Sequence, residues 1–238
     1  MSIIKLENIS HSYGEKEILS GFSLELIADK VNCLLGSSGC GKTTILRLIA
    51  GLEVPQKGKI MVGNKILSSE GDILIPPHKR RVGFVFQDLA LWPHFTVFKN
   101  IAFGLEQRNE TGIEDSVNHI LDFFDLQQHT DKYPHQLSGG QQQLVAIARS
   151  LVLKPEILLM DEPLANLDVK LKRRILQYIK EIQENFQTTI VYVTHDHKEA
   201  FAIADNIIVL NNGKIEDNGS VEQIKKSKNE YVKYFLEY

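Results

Sequence analysis

Cysteine is scarce in this 238-residue sequence, and neither sign of charge dominates it. Its two cysteines, Cys33 and Cys40, are too few and too close together for the disulfide framework of a secreted protein, so we expect a reducing compartment. The 27 Lys and Arg residues against 30 Asp and Glu residues provide no overall basic field of the kind that nucleic-acid-binding proteins present. We therefore expect no nucleic-acid partner.

Long hydrophobic runs are also absent from the sequence. No stretch approaches the ~18 apolar residues that a membrane-spanning helix requires, and residues 1–10 contain no apolar stretch of signal-peptide length. We therefore expect any membrane role to depend on a partner protein. Hydrophobic residues make up 43% of the sequence and charged residues 24%, as in average globular domains, which excludes disordered and collagen-like chains.

Apolar patterning indicates three stretches along the chain. Residues 1–87 contain short β-branched or apolar runs between polar or glycine residues, which predict strands. Residues 88–154 carry apolar positions at helical spacing and few β-branched runs, which predicts an inserted helical region. Strand and helix patterns alternate again in residues 155–238, as in a parallel sheet with crossover helices. The three lysines within residues 225–228 are interpreted as a solvated helix face.

A glycine-rich segment near residue 40 fits the pattern of a phosphate-binding loop. It consists of Gly36-Ser37-Ser38-Gly39-Cys40-Gly41-Lys42-Thr43, follows a predicted strand at 31–35 and opens a predicted helix at 42–52. Its glycines allow consecutive backbone N–H groups to turn towards phosphate oxygens, and the helix N-terminus adds further donors. Lys42 would reach the β- and γ-phosphates, and the Thr43 hydroxyl would take one place around Mg²⁺. The alternative is a glycine-rich turn that binds no ligand.

Two adjacent acidic residues follow another apolar run. Residues 157–160 are continuously apolar, as expected for a strand buried on both faces, and Asp161 and Glu162 come at its carboxyl end. Ligands of open α/β sheets bind at that edge. Asp161 would join the magnesium shell, and Glu162 would polarise the attacking water as a general base. Taken alone, the acidic pair would also suit a polar strand exit.

A five-residue motif between these two sites carries a family resemblance. Leu137-Ser138-Gly139-Gly140-Gln141, upstream of the acidic pair, resembles the signature of ATP-binding cassette (ABC) ATPases. Tyr13, Gln87, the stretch 164–168 and His195 also follow the order of that family. The resemblance therefore covers nearly the whole chain.

This resemblance implies an α/β fold: a P-loop NTPase core with a mainly parallel sheet, an N-terminal antiparallel β subdomain and an inserted α-helical subdomain. It implies a single ABC ATPase domain over residues 1–238. Residues 1–87 and 155–238 are expected to form the nucleotide-binding core with the antiparallel β subdomain. Residues 88–154 are expected to form the helical subdomain that carries the signature.

The resemblance also implies roles for single residues. Tyr13 would stack on adenine, Gln87 would contact Mg²⁺ and the attacking water, and His195 would contact the γ-phosphate. Each of them would otherwise be an ordinary surface or structural residue. The residues expected to contact ATP are Tyr13, Gly36, Ser37, Ser38, Gly39, Cys40, Gly41, Lys42, Thr43, Thr44, Ser138, Gly139, Gly140, Gln141 and Asp168. The expected catalytic residues are Lys42, Gln87, Glu162 and His195, and the expected magnesium ligands are Thr43, Gln87 and Asp161.

The signature further implies a dimer. Ser138 and the amides of Gly139 and Gly140 begin a predicted helix whose N-terminus can receive an anion. In the family that the motif resembles, two cassettes pack head to tail, each signature closes over the partner's ATP, and Asp168 crosses the interface. We therefore expect an ATP-dependent homodimer. The alternative is a helix start that is merely built from small residues.

Residues 87–105 resemble, more narrowly, bacterial importer ATPases for iron, polyamines, sugars and oxyanions. In those proteins the segment lines a groove for a short helix of the membrane subunit, which an apolar patch of Trp92 and Phe95 would suit. The alternative is that these side chains fill the core of the helical region. The resemblance implies an ATPase subunit on the cytoplasmic face of the cell membrane, with transmembrane permease subunits and a solute-binding protein as partners.

Departures from the family pattern leave other possibilities open. Many importers of this branch carry a further C-terminal regulatory β domain, which we expect this chain, ending at Tyr238, to lack. Leu144 and Asn166 stand where the family more often has Arg and Ser. The alternatives to an importer ATPase are a soluble ABC ATPase of DNA repair or translation and a cassette that only binds ATP. No residue identifies the transported solute.

Overall fold

The structure is a computed structural model in which residues 4–165 and 167–237 are described. Its strands are β1 (Ile4–Tyr13), β2 (Lys16–Leu26), β3 (Val31–Gly36), β4 (Lys57–Val62), β5 (Lys65–Ser69), β6 (Asp72–Ile73), β7 (Val82–Val85), β8 (Ile157–Asp161), β9 (Thr189–Thr194), β10 (Asn206–Asn211) and β11 (Lys214–Gly219). Its helices are α1 (Lys42–Ala50), α2 (Val97–Gln107), α3 (Ile113–Phe123), α4 (Gly139–Leu151), α5 (Val169–Phe186), α6 (His197–Ile203), α7 (Val221–Lys225) and α8 (Glu230–Glu237). Within the described ranges, every helix is too short or too polar to span a lipid bilayer. Asn166, noted above as a departure, lies outside the described residues.

The larger sheet has six strands in the order β11-β10-β3-β9-β8-β7. Neighbouring strands pair in parallel except at the edge, where β11 runs antiparallel to β10. Alternate residues of β8 belong to two different hydrophobic clusters, Leu159 to one and Leu158 and Met160 to the other. Both faces of the sheet are therefore covered, which explains why β3, β8 and β9 are mainly apolar and are buried along their whole length.

A second, antiparallel sheet has the strand order β2-β1-β4-β5-β6 and packs over helix α1. Ile4 and Leu6 point inward from β1 and share a hydrophobic cluster with Ile45 of α1 and Leu34 of β3. Helix α1 is therefore held between the two sheets. This packing fixes the direction of the loop that enters the helix at its N-terminus.

Helices α2, α3 and α4 occupy the chain between β7 and β8. They contact one another, and α4 also contacts β7. Ile101 of α2, Leu121 of α3 and Ile147 of α4 are buried in the same hydrophobic cluster as Met160 of β8. The helical region therefore shares a continuous core with the larger sheet.

The predicted α/β fold class is confirmed, because a mainly parallel sheet, an N-terminal antiparallel sheet and inserted helices are all observed. The patterning missed β6, β11 and α8, and of α7 only the lysine-containing end was interpreted as helical. The three lysines are exposed, as expected, but only Lys225, the last residue of α7, lies in a helix, whereas Lys226 and Lys228 lie in the turn before α8. The chain turns there because the side chains of Ser227 and Asn229 hydrogen-bond to residues of β11.

A buried arginine links the end of α1 to the antiparallel sheet. Arg80 Nη1 donates hydrogen bonds of 3.1 and 2.8 Å to the carbonyl oxygens of Leu48 and Ile49, which lie in the last turn of α1. Its Nη2 donates to the Leu67 carbonyl and to the Ser68 hydroxyl of β5. Burial lowers the pKa of Arg80 to about 10. The guanidinium is the side-chain donor for the buried Ile49 carbonyl and a second donor for the Leu48 carbonyl, which also accepts from Gly51 N–H.

Replacing Arg80 is therefore expected to destabilise the fold. Arg80→Met should lower the free energy of unfolding by at least about 3 kcal/mol, because each buried acceptor left without a donor costs about 1–3 kcal/mol. Arg81→Met is the matched control, because the neighbouring Arg81 is exposed and pairs with Glu156 at the surface. The control should cost less than about 1 kcal/mol. Urea denaturation followed by circular dichroism measures both values, and equal losses would contradict the assignment.

Candidate functional site

The glycine-rich loop between β3 and α1 has a backbone conformation that requires its glycines. A Cβ on Gly36 would lie 2.3 Å from the carbonyl oxygen of Leu210, so no larger residue fits there without a shift of β10. Gly39 and Gly41 have φ values of 80° and 108°, which residues with side chains rarely adopt. Helix α1 begins at Lys42 without a side-chain cap, so the N–H groups of its first turn are available to an anion.

Lys42, Thr43 and Asp161 meet at the end of this loop. Lys42 is buried, and its Nζ donates hydrogen bonds of 2.8 Å to the carbonyl oxygens of Gly36 and Ser37. Thr43 Oγ1 donates to Asp161 Oδ1 over 2.9 Å, which joins α1 to the carboxyl end of β8. Burial raises the pKa of Asp161, and the hydrogen bond from Thr43 opposes that rise.

The oxygens of Thr43 and Asp161 are hard donors of the kind that Mg²⁺ prefers. Within the described ranges, no group of three or more His, Cys, Asp and Glu side chains is arranged to hold a metal ion. Magnesium at nucleotide sites is usually held by one or two protein oxygens together with phosphate and water oxygens. The pair of oxygens beside the glycine loop therefore fits a magnesium–nucleotide complex.

Glu162 and His195 face each other just beyond Asp161. His195 Nδ1 lies 3.1 Å from Glu162 Oε2. The Glu162 side chain is 18% exposed, whereas that of His195 is 58% exposed. Glu162 has a φ of 44°, and its N–H donates to the Val193 carbonyl of β9 over 3.1 Å. This backbone bond anchors the exit from β8, so the carboxylate has a defined position.

An open cavity of about 360 Å³ brings many of the predicted residues together. The cavity is lined by Tyr13, Lys16, Ile18, Ser38, Gly39, Gly41, Lys42, Thr43, Thr44, Gln87 and Glu162. These residues come from β1, β2, the glycine loop, α1 and the segments that follow β7 and β8. Three residues of the glycine loop that were predicted to contact ATP, Gly36, Ser37 and Cys40, are not among the lining residues. Cys40 is buried, with its Sγ 3.9 Å from Lys42 Nζ.

Tyr13 stands at the mouth of this cavity, with 45% of its surface exposed. Its hydroxyl donates to Glu53 Oε2 and lies 3.5 Å from Thr44 Oγ1. The His11 ring lies nearly perpendicular to the Tyr13 ring, with 5.0 Å between the ring centroids. Burial raises the pKa of the Tyr13 hydroxyl, and the hydrogen bond to Glu53 adds to the rise. The hydroxyl contacts therefore orient a ring that is nearly half exposed and lines the cavity.

The signature residues form a second group at the start of α4. Ser138 caps this helix: its Oγ accepts from Gln141 N–H, and the Gln141 side chain accepts from Ser138 N–H over 2.9 Å. A Cβ on Gly140 would lie 2.3 Å from Leu171 Cδ2, so the helix start packs closely on α5. Asp168 caps α5 and accepts hydrogen bonds of 3.0 Å from two backbone N–H groups.

The structure does not bring this second group into the cavity. Ser138, Gly139 and Asp168 are exposed, and no signature residue is among those that line the cavity. Among the described residues, the predicted ATP contacts therefore fall into two separate surfaces of one chain.

Several residues at these surfaces were missed by the sequence analysis. Lys16 and Ile18 line the cavity because β2 begins at residue 16, whereas the strand was predicted from residue 22. The missed signal was Gly14, which has a φ of 59° in a two-residue turn between β1 and β2. Glu53 and His129 had no signal in the sequence, since their partners lie far away along the chain.

The buried His129 supports the signature through Gln141. Because the Gln141 side-chain oxygen accepts from Ser138 N–H, its amide nitrogen faces His129 Nε2, at 2.9 Å. The His129 Nε2 must then accept, so the ring proton lies on Nδ1, which is buried without a hydrogen-bond partner. Burial is the larger cause of a lowered pKa of His129, and the nearby positive charge of Lys132 lowers this pKa further. The neutral ring therefore fits this contact better than the protonated ring.

A family model described as ABC transporter matches residues 19–165. The chain belongs to the ABC transporter family. Among solved structures of the family, the crystal structure of a nucleotide-free ATP-binding cassette from an ABC transporter is similar to this chain with a TM-score of 0.85. That match has 25% sequence identity and covers 99% of each chain.

Curated ABC relatives include three import ATP-binding proteins. The spermidine/putrescine protein of Aliivibrio fischeri is 43% identical over 99% of this chain and 63% of its own length. The sulfate/thiosulfate protein of Pseudomonas syringae pv. tomato is 42% identical over 98% of this chain and 72% of its own length. The Fe(3+) ions protein of Fusobacterium nucleatum is 42% identical over 98% of this chain and 62% of its own length. The resemblance to ABC ATPases of the importer branch is thereby confirmed, and this ABC chain spans less than two thirds of two of these relatives.

His129 is expected to make the stability of this ABC cassette sensitive to mild acid. Its pKa is lowered from 6.5 in the folded chain, so the unfolded chain takes up the proton first as the pH falls. The stability of the wild type should therefore decline below about pH 6.5, and the stability of His129→Leu should decline less over that range. Melting temperatures between about pH 7.5 and 5 measure this difference. The exposed His119→Leu is the control and should follow the wild type, and identical pH slopes for all three proteins would contradict the prediction.

Proposed function

We propose that this protein is the ATP-binding subunit of an ABC importer, which hydrolyses ATP at the interface of a head-to-tail dimer and drives solute uptake through partner membrane subunits. The observation that carries the proposal is the separation of two surfaces. One surface joins the glycine loop, Tyr13, Gln87 and Glu162 around a cavity, and the other presents Ser138 and Asp168 away from it. A nucleotide in the cavity of one chain then lacks a cover, which a second chain can supply.

The cavity residues suit the parts of ATP. The N–H groups of the loop from Gly36 to Thr44 receive the phosphates, and Lys42 Nζ turns from the loop carbonyls to the β- and γ-phosphates. The exposed Tyr13 ring stacks on adenine. Thr43, Asp161 and Gln87 hold Mg²⁺, which when bound neutralises phosphate charge and orients the triphosphate.

Glu162 is the general base in this proposal. Its carboxylate accepts the proton of the attacking water, since it follows the proposed magnesium ligand Asp161 in the chain and lines the cavity. His195 Nδ1 contacts Glu162 Oε2, which orients the carboxylate and leaves the other ring nitrogen for an oxygen of the γ-phosphate. Gln87, in the turn after β7, also lines the cavity and positions the water.

The dimer completes the site with the partner's signature. Ser138 and the exposed N-terminus of α4 offer a hydroxyl and backbone donors to the γ-phosphate of the other chain. Asp168, at the exposed start of α5, contacts the partner across the interface. In this arrangement residues 1–87 and 155–238 form the nucleotide-binding core, and residues 88–154 form the helical subdomain that carries the signature.

A groove beside the helical region suits the membrane subunits. It has a volume of about 390 Å³ and is lined by Val82, Gly83, Phe84, Phe86, Ala90, Trp92, Phe103, Gly104, Arg149, Ser150 and Leu153. Trp92 and Phe103 line the groove and form an aromatic rim with Phe95, which packs against both. The three side chains stay partly exposed, and among the described residues the buried core of the helical region is formed by other side chains. An apolar groove of this kind accepts a short amphipathic helix of a permease.

The groove is connected to the nucleotide cavity through the segment after Gln87. Arg149 donates to the carbonyl oxygens of Leu89 and Ala90 over 2.8 and 2.6 Å, and its guanidinium lies 4.9 Å from the Trp92 ring. Leu89 and Ala90 both have positive φ values, of 61° and 46°. A helix that moves Trp92 would therefore act on the backbone next to Gln87.

A peripheral position on the cytoplasmic face of the cell membrane, with permease subunits and a solute-binding protein as partners, follows from this role. The names of the relatives favour an importer over a soluble ATPase of DNA repair or translation. Their names cover polycations, oxyanions and ferric iron, so the proposal stops at the importer and names no solute.

The hydrolysis step is tested with Glu162→Gln. The variant should lose at least about a hundredfold of the Mg²⁺-dependent ATPase rate, because it lacks the proton acceptor. The same variant, saturated with ATP, should form a dimer in analytical ultracentrifugation. The exposed Glu156→Gln, at the residue before β8, is the control and should keep the wild-type rate. An undiminished rate in Glu162→Gln would refute the assignment of the base, and a variant that stays monomeric would refute the dimer.

The permease groove is tested with Phe95→Asp. A charge on the aromatic rim should reduce the amount of membrane protein that co-purifies with the tagged chain by at least about tenfold. ATP binding by the isolated chain should be retained. Leu74→Asp, which changes an exposed leucine beyond β6, is the matched control. Equal recovery of the membrane protein with both variants would place the permease contact elsewhere.

A further inference from the structure

A buried carboxylate joins three elements behind the His195 turn. Glu199 of α6 is 6% exposed. Its Oε2 accepts hydrogen bonds of 2.8 Å from the hydroxyls of Tyr192 and Thr194, both on β9. Its Oε1 accepts from Lys172 Nζ of α5 over 2.7 Å. All three donors come from elements other than α6, so the side chain works as a junction between them.

One arm of this junction holds the turn that carries His195. Thr194 is the last residue of β9, and its hydroxyl donates to Glu199 while it accepts from Asp196 N–H over 3.0 Å. Asp196 in turn caps α6 by accepting from Lys198 N–H over 2.8 Å. These hydrogen bonds hold the residues on both sides of His195 in place. The imidazole that contacts Glu162 therefore extends from a turn whose backbone is hydrogen-bonded on both sides.

The other arm holds the start of α5. Lys172 lies in the first turn of this helix, and its N–H donates to the carbonyl oxygen of Asp168 over 2.9 Å. Asp168 is the capping residue of α5 and is exposed. The ion pair between Lys172 and Glu199 therefore ties the capping turn of α5 to the strand that ends at Thr194.

The chemistry of the junction requires a carboxylate. Three donors converge on two oxygens, and an amide at this position would turn an N–H towards either the Lys172 ammonium or the hydroxyl pair. Burial raises the pKa of Tyr192, and the negative charge of Glu199 is the next largest cause of the rise. The Tyr192 hydroxyl therefore keeps its proton and remains a hydrogen-bond donor. A buried charge on α6 that is satisfied by donors from β9 and α5 holds the three elements in one relative position.

We propose that Glu199 is a positioning residue that couples the His195 turn to the capping turn of α5. When the partner chain contacts Asp168, a displacement of the α5 capping turn is transmitted to the His195 turn through Lys172, Glu199 and Thr194. Glu199 itself does not contact the nucleotide. This inference rests on the function proposed above. It adds a path by which the dimer interface sets the geometry of the hydrolytic site.

The test removes the arm to α5. Lys172→Met deletes this ion pair but keeps both hydrogen bonds from β9 to Glu199. Lys172→Met should lower kcat for ATP about tenfold and change KM less than about twofold, because hydrolysis and not binding depends on the coupling. Lys172→Arg should recover at least about half of the rate, since it restores the ion pair.

Lys59→Met is the matched control, because Lys59 forms a 2.9 Å ion pair with Glu7 on the antiparallel sheet, away from the site. The control should keep the wild-type kcat and KM. A kcat of Lys172→Met equal to that of the control would overturn the proposal. A rate loss that follows the melting temperature in every variant and is not restored in Lys172→Arg would also overturn it, since the role would then be structural.

A second measurement does not depend on hydrolysis. The imidazole signals of His195 in NMR spectra of the nucleotide-free chain should shift in Lys172→Met and stay unchanged in Lys59→Met. Unchanged signals in both variants would overturn the coupling. If the wild type hydrolyses no ATP above the level of Glu162→Gln, the proposed function fails, and the NMR comparison still decides the coupling by itself.

Discussion

The parallel pairing of β3, β9 and β8 is the constraint on which the candidate site depends. Leu35 pairs with Thr194, and Asp161 pairs with Val193, so the three strands end at nearly the same level. Parallel strands present their carboxyl ends at one edge of the sheet, and the residues that leave them meet there. The glycine loop, the acidic pair and His195 are neighbours for this reason, although they are distant along the chain.

Buried polar groups then fix the elements that leave this edge. The Thr43 to Asp161 hydrogen bond joins α1 to β8, Arg80 holds the far end of α1, and Glu199 joins β9, α5 and α6. Each of these groups is satisfied by partners from other elements, and breaking one leaves an unpaired group in the interior. The site is thus held by directional bonds in addition to the packing of hydrophobic side chains around it.

The same architecture leaves the site incomplete within one chain. The start of α4 packs on the start of α5, so Ser138 and Asp168 belong to one surface, while the cavity belongs to another. In the proposed dimer, each surface covers the other, and the two proposed routes converge on the cavity. Arg149 connects the permease groove to the backbone near Gln87, and Glu199 connects the interface to His195.

Local motifs were readable from the sequence, whereas cross-chain contacts were not. The glycine loop, the acidic pair and the signature depend on backbone conformations set by a few adjacent residues, and the fold class followed from strand and helix periods. By contrast, only sheet order and helix packing bring three other contacting pairs together. These pairs are Glu53 with Tyr13, His129 with Gln141, and Lys172 with Glu199. No local period specifies such pairs, because a side chain's partner across the core depends on how distant segments pack. The sequence by itself determined which groups could bind a nucleotide, and the tertiary structure decided which buried groups hold them in place.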